Sequence, residues 1–218
     1  MPPSSQLGSR LHAIFEIVKE AQKNQNYSSI WDCCCDHGYL GIKMLREDLC
    51  KKIIFVDKLP HIIESLSLKL APFNTGKHEL KAADASDLEF DLQCKHLVIV
   101  AGVGGETSAE IVESIEKNHS HVHIDYLFCP SARQKELREY LADQQFGLLS
   151  EHLVGEKKRY YEILLVRQPA RACELAAVPL SCNLWDDENV DQQRFLKKMN
   201  TPRQSKKPKR KRIESHNK

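Results

Sequence analysis

Four groups of small and acidic residues have types and spacings suited to holding a nucleoside: Asp36-His37-Gly38, Asp57, Asp84 and Gly102-Val103-Gly104-Gly105. Gly38 lets the backbone approach a ligand closely. Asp57 follows 19 residues later, an interval at which an acid after a glycine turn accepts two ribose hydrogen bonds. Asp84 is placed to accept from an adenine amino group. A dinucleotide calls for a G-x-G-x-x-G turn that seats pyrophosphate on a helix N-terminus. Here the turn reads Cys34-Cys35-Asp36-His37-Gly38. The added carboxylate repels pyrophosphate and favours the sulfonium and ammonium charges of S-adenosylmethionine, so these residues point to methyl transfer over hydride transfer. Each residue taken singly also has a plainer use. Asp57 and Asp84 suit helix caps or turns, and the glycines suit a tight strand-to-helix connection.

These residues matter jointly only if the fold brings them to one edge, and the surrounding pattern predicts that it does. Leu7 to Ala21 carries apolar residues at helical spacing, with a buried stripe through Leu11, Ile14, Phe15 and Val18. Ser29 to Cys35 reads as a strand, Tyr39 to Leu49 as its helix, Lys52 to Asp57 as a β-branched strand, and Pro60 as a helix start leading to Leu70. Leu80 to Asp84 is a weaker strand edge. His96 to Ala101 is a fully apolar strand, with a helix from Glu106 to Glu116. Asp125 to Cys129 and Arg133 to Gln144 form one more strand and helix. Leu148 to Gly155 and Tyr160 to Val166, joined by Lys157-Lys158-Arg159, read as a terminal antiparallel hairpin. The alternation predicts an α/β fold, a Rossmann-like, doubly wound and mostly parallel sheet with that hairpin at its edge. Such sheets bind ligands at the carboxyl ends of their strands, where each acidic or glycine group falls.

Domain organisation follows from where regularity stops: residues 1–167 as the catalytic domain, 168–200 as an irregular acidic segment with a short helix around Gln192 to Met199, and 201–218 as a basic, disordered tail. From Arg194 onward the chain carries +10, leaving −8 on the preceding 193 residues. A basic tail on an acidic body suits electrostatic recruitment of RNA, although a solubilising tail has the same composition. No apolar run approaches the roughly 20 residues of a membrane span and the N-terminus lacks a signal-like apolar region, so a soluble, cytoplasmic protein without membrane contact is expected. Three of the eight cysteines are consecutive, Cys33 to Cys35, which does not form paired C-x-x-C ligands. Reduced structural thiols and no metal site are expected.

The segments Asp32-Cys33-Cys34-Cys35-Asp36-His37-Gly38-Tyr39-Leu40 and Ala101-Gly102-Val103-Gly104-Gly105 resemble those of the TrmK family of bacterial tRNA (adenine-22 N1)-methyltransferases. The similarity also takes in Leu7-x-x-Arg10-Leu11 and the stretch from Glu156 to Leu164. The chain departs from the family at Cys34, where the family has glycine, and in its short C-terminal region, where members continue into a coiled-coil domain. The resemblance implies S-adenosylmethionine as cofactor and tRNA as partner. It places cofactor contacts at Asp32, Cys34, Asp36, Gly38, Tyr39, Asp57, Lys58, Asp84, Ala85 and Ala101. Asp36, His37, Gly102, Gly104 and Gly105 are expected to hold the adenine during transfer. Arg10 and the tail residues Lys206, Lys207, Lys209, Arg210, Lys211 and Arg212 are expected to contact the RNA. A small-molecule or protein methyltransferase and an inactive RNA-binding protein on the same fold are the alternatives.

Overall fold

Apolar runs bounded by turn residues become the strands of an eight-stranded sheet in the computed structural model, which describes residues 7–73, 76–172 and 174–200. In chain order the elements are α1 (Ser9–Gln25), β1 (Ser29–Cys33), α2 (Tyr39–Arg46), β2 (Lys52–Asp57), α3 (Pro60–Leu70), β3 (His78–Ala82) and β4 (Lys95–Ala101). There follow α4 (Gly105–His119), β5 (His123–Cys129), α5 (Gln134–Asp143), β6 (Gly147–Glu156), β7 (Arg159–Arg167), β8 (Ala176–Ala177) and α6 (Val190–Asn200). The strand order is β3-β2-β1-β4-β5-β7-β6-β8. Strands β1 to β5 run parallel, and β7, β6 and β8 extend the sheet antiparallel.

Both faces of β1, β2, β4 and β5 are largely buried, which is why their sequences are mostly apolar instead of alternating, whereas the edge strand β3 is polar and only half-buried. Successive side chains still point to opposite faces. Val98 and Val100 pack with Ile111, Val112 and Leu137 on one side, while Leu97 and Ile99 pack with Ile14, Phe15 and Leu66 on the other. Order reverses between β1 and β4, so their C-terminal ends splay the following turns to opposite sides and open a crevice there.

Three features differ from the sequence reading. The third strand lies earlier, at His78–Ala82, and Asp84 follows it as the cap of a short 3₁₀ turn, its Oδ1 accepting from Ser86 N at 3.0 Å. Helix α1 runs on to Gln25 because its polar last turn stays helical up to a left-handed Asn26. The body also continues past Arg167. Gln168 is buried, its Nε2 donating to Ser120 O at 2.9 Å. Ala176–Ala177 pairs with β6, and Trp185 Nε1 donates to Glu162 Oε1 at 3.1 Å. From Asp186 the chain forms a separate unit, in which Asn189 Oδ1 caps α6 by accepting from Asp191 N and Gln192 N, both at 3.1 Å. The basic run from Lys206 to Arg212 lies outside the described residues.

No described helix is long and apolar enough to cross a membrane. The seven described cysteines are free. Burial pushes the Cys33 and Cys35 thiols well up and the Cys34 thiol up to about 11, which leaves little thiolate near neutral pH.

Candidate functional site

The turn after β1 makes an unusually tight path, with Cys34, Asp36 and Gly38 all left-handed at φ 55, 48 and 68°. At Gly38 any larger residue would combine that strain with a Cβ 2.5 Å from Leu66 Cδ1. Cys34, in the family's glycine position, is accommodated by packing its side chain against the core. The turn is tied down by two buried carboxylates. Asp32 Oδ2 accepts from Gly41 N at 3.1 Å, and a Cβ at 41 would lie 2.6 Å from Phe55 Cζ. Asp57 Oδ2 accepts from Asp36 N at 3.2 Å and its Oδ1 from Leu59 N at 3.1 Å, joining the turns after β1 and β2. Leu59, not Asp57, occupies the N-cap position of α3.

The turn after β4 supplies the facing wall. Gly102 is left-handed at φ 89° and donates its N–H to Cys129 O at 3.0 Å. Gly105 opens α4 with its N–H on Ala132 O at 2.8 Å. The Arg10 guanidinium lies 5.0 Å above the Tyr161 ring and beside Gly102, 3.8 Å from where a Cβ would stand. Arg10 Nε is buried without a hydrogen-bond partner.

Between these turns lies a cavity of about 270 Å³. Arg10, Asp32, Cys34, Asp36, His37 and Tyr39 line it, and Ala101 and Gly102 close the far side. Leu11, Cys35, Leu40 and Val103, which are not among the expected cofactor-binding or catalytic residues, also line it. Gly38, Asp57, Lys58, Asp84, Ala85, Gly104 and Gly105 lie outside this lining. Three of them nonetheless act on it: after burial, the charges of Asp57, Asp84 and Asp32 raise the Cys34 thiol and Lys58 lowers it, so these groups converge on the turn from the β2 and β3 sides. Asp84, read as an adenine contact or a cap, makes the capping bond through Oδ1. Burial, offset in part by the Gly41 N–H, raises the Asp32 carboxyl to about 7. His37 and Tyr39 stand at the mouth with rings 5.5 Å apart, and Lys69 Nζ lies 5.6 Å from the Tyr39 ring. A wider groove of about 580 Å³ between α1 and β6 contains no strand-end turn. Among the described residues no cluster of three or more His, Cys, Asp or Glu is arranged to hold a metal ion.

A family model for a methyltransferase domain matches residues 7–164. The chain belongs to the methyltransferase-domain family. That span covers α1 through most of β7, so both site turns and the Arg10 wall fall within the methyltransferase domain. No curated protein matches the chain in sequence. Solved structures share the domain's fold. A Streptococcus pneumoniae protein proposed to be a tRNA adenine-22 N1-methyltransferase, in complex with S-adenosyl-L-methionine, is 23% identical with a TM-score of 0.64, over 75% of this chain and 73% of its own. Mycoplasma capricolum TrmK bound to S-adenosylhomocysteine is 20% identical with a TM-score of 0.61, over 74% and 69%. A magnesium protoporphyrin IX methyltransferase from Synechocystis with bound S-adenosylmethionine is 13% identical with a TM-score of 0.57, over 73% and 80%.

Proposed function

We propose that this methyltransferase domain transfers a methyl group from S-adenosylmethionine to N1 of an adenine in tRNA. The observation that carries this reading is the pair of acids, Asp32 and Asp36, in the wall of a cavity at the sheet's switch point. A cavity floored by carboxylates disfavours a pyrophosphate and fits a cofactor whose reactive end is cationic. The remaining residues fit the same molecule: Gly102 has no Cβ at the cavity wall, Gly38 lets the turn pass close over Leu66, Asp57 is fixed at the end of β2 to accept from a ribose, and Asp84 keeps Oδ2 for an amino group. The structural neighbours with S-adenosylmethionine or S-adenosylhomocysteine bound on the same fold support it, as does the likeness to the TrmK motifs.

When bound, S-adenosylmethionine supplies an electrophilic methyl on a sulfonium. Adenine N1 carries a lone pair and no proton, so no general base is required at the attacking atom and positioning is the main task of the protein. Asp36 and His37 hold the Watson-Crick edge of the base, Tyr39 bounds its plane, and the Gly102 to Gly105 backbone closes the opposite side. A paired adenine must be exposed by opening or flipping before it enters. The tail from Thr201 to Lys218 adds phosphate contacts that raise affinity without specifying sequence. The chain is thereby divided into a catalytic body, the α6 segment and a basic extension, with the body reaching Trp185.

Incubating the protein with labelled cofactor and bulk tRNA, followed by nucleoside mass spectrometry, is expected to yield 1-methyladenosine. Label transfer to a small molecule or protein in place of tRNA would overturn the reading, as would cofactor binding without transfer.

The raised Asp32 carboxyl predicts a pH dependence. Its folded value of about 7 exceeds the ordinary 3.8, so the neutral form is favoured in the fold and is the form that gives no charge to a cationic ligand. Cofactor affinity should therefore climb about tenfold per pH unit up to about 7 and level off above it. Asp32→Asn should flatten that profile. The same shift makes the carboxylate a burden on the fold: its contribution to stability is fully present below the unfolded value and lost as pH rises through 7. Asp32→Asn should thus melt higher than the parent at pH 8 and match it near pH 4. Calorimetric titration and thermal melts across pH 4–8.5 test both, and a pH-independent parent affinity would remove Asp32 from the binding site.

A further inference from the structure

The β6–β7 hairpin extends beyond the sheet on the cavity side. β7 pairs with β5 from Arg167 opposite Asp125 to Leu164 opposite Phe128, so Arg159 to Glu162 lie past the C-terminal end of β5. They stay paired with β6 as far as Glu156 opposite Arg159. The root of this arm is rigid: buried Arg138 of α5 bonds Glu162 at 2.8 Å and also Glu151. Its flank touches the cavity wall through Arg10, whose backbone N–H donates to Glu156 Oε1 at 3.2 Å and whose guanidinium covers Tyr161. Three residues before Tyr161, roughly 10 Å along the strand, is the tip.

That tip is Lys157-Lys158-Arg159, all exposed, and none of the three forms an ion pair among the described residues. Elsewhere the residues before Arg194 are net acidic, so an isolated cluster of uncompensated cations beside the cavity stands out against a body that repels polyanions. Lys157 is also left-handed, φ 56°, at the first position of a two-residue turn where glycine is preferred. A lysine there carries a conformational cost that glycine would not.

We propose that the hairpin tip is a phosphate clamp, gripping the RNA backbone next to the base that enters the cavity. This rests on the reading of the protein as an RNA methyltransferase. The phosphates flanking the target base meet Lys157, Lys158 and Arg159, and Arg10 with Tyr161 links the clamp to the site.

The test compares the full chain with Lys157→Gln/Lys158→Gln/Arg159→Gln, using bulk tRNA as probe at several salt concentrations. The triple variant should bind at least about tenfold more weakly at ~0.1 M salt, with a salt slope shallower by about 2 to 3 for three lost contacts. Cofactor affinity and kcat at saturating tRNA should not change, so that the loss appears in KM. Lys157→Gly alone should weaken tRNA binding severalfold while leaving the melting temperature equal or higher, which a purely structural role for the turn would not produce. If the variants keep the parent's tRNA affinity and salt slope while the parent methylates tRNA, the clamp is wrong and the proposed function stands. If the parent binds no tRNA, both fall.

Discussion

Asp57→Ala is expected to weaken S-adenosylmethionine binding by about 1.5 to 3 kcal/mol, or roughly 10- to 150-fold, the range for a lost hydrogen bond to a charged group. The size of the effect follows from how firmly the carboxylate is held. Asp57 is 8% exposed at the end of β2, and its two oxygens accept from Asp36 N and Leu59 N, so little ordering remains to be done when a ribose arrives. Alanine removes the ribose acceptor and frees the turn that carries Asp36. Asp57→Asn retains one acceptor oxygen and should fall between the two. Titration calorimetry on variants checked for a cooperative melt decides the matter: a folded Asp57→Ala protein with the parent's affinity would show that the carboxylate serves only to join the two turns.

The second large effect is on stability. A Cβ at Gly105 would stand 2.7 Å from the carbonyl carbon of Arg133 and nearer still to its oxygen, a collision of backbone with backbone that no rotamer change relieves. To make room, the start of α4 must part from the β5–α5 connection, at the expense of the Gly105 N–H bond to Ala132 O and the neighbouring Gly104–Ala132 bridge. Gly105→Ala should therefore destabilise the protein by about 3 kcal/mol or more, beyond most overpacking substitutions, and lower Tm by roughly 6–12 °C. Gly104→Ala is the control. Its φ of −75° suits any residue and nothing lies within 4 Å of where the added methyl would stand, so only the weaker N-cap preference of alanine remains, about 1 kcal/mol or less. Equal melting curves for the two variants would refute the close packing of α4 on Arg133.

Pattern carried the architecture because burial of both sheet faces imposes a local signature. Ile53 to Val56 and Leu97 to Val100 are continuous apolar runs, each followed by an acid or a glycine turn, and a parallel sheet is the arrangement that buries such runs on both sides. Once strands and helices alternate, the ligand edge follows from chain direction, so the sequence alone puts Asp36, Asp57 and Gly102 at the carboxyl ends of their strands. Strand β8 is not: two alanines have no periodicity, and their pairing depends on β6 being already in place.

Within the site, the divide falls between residue type and residue state. Asp32 is recognisable as part of a motif, yet its elevated carboxyl comes from burial beneath α2, which the motif does not encode. Gly41 of α2 gives no local sign of its importance, because the groups that exclude a side chain there, Phe55 and Asp32, come from strands β2 and β1. Asp84 shows the reverse: a residue fit for two uses by sequence is seen in the structure making the capping bond. Arg10 and Glu156 are 146 residues apart, and their meeting at the cavity wall depends on how the β6–β7 arm packs against α1. Sequence by itself determined the elements other than β8, their order and the chemical kinds at the strand ends, since those depend on local periodicity and turn chemistry. Only tertiary structure decided which side chains face the cavity, that the Asp32 carboxyl there is raised to about 7 and where the basic hairpin stands, since each depends on contacts between segments far apart in the chain.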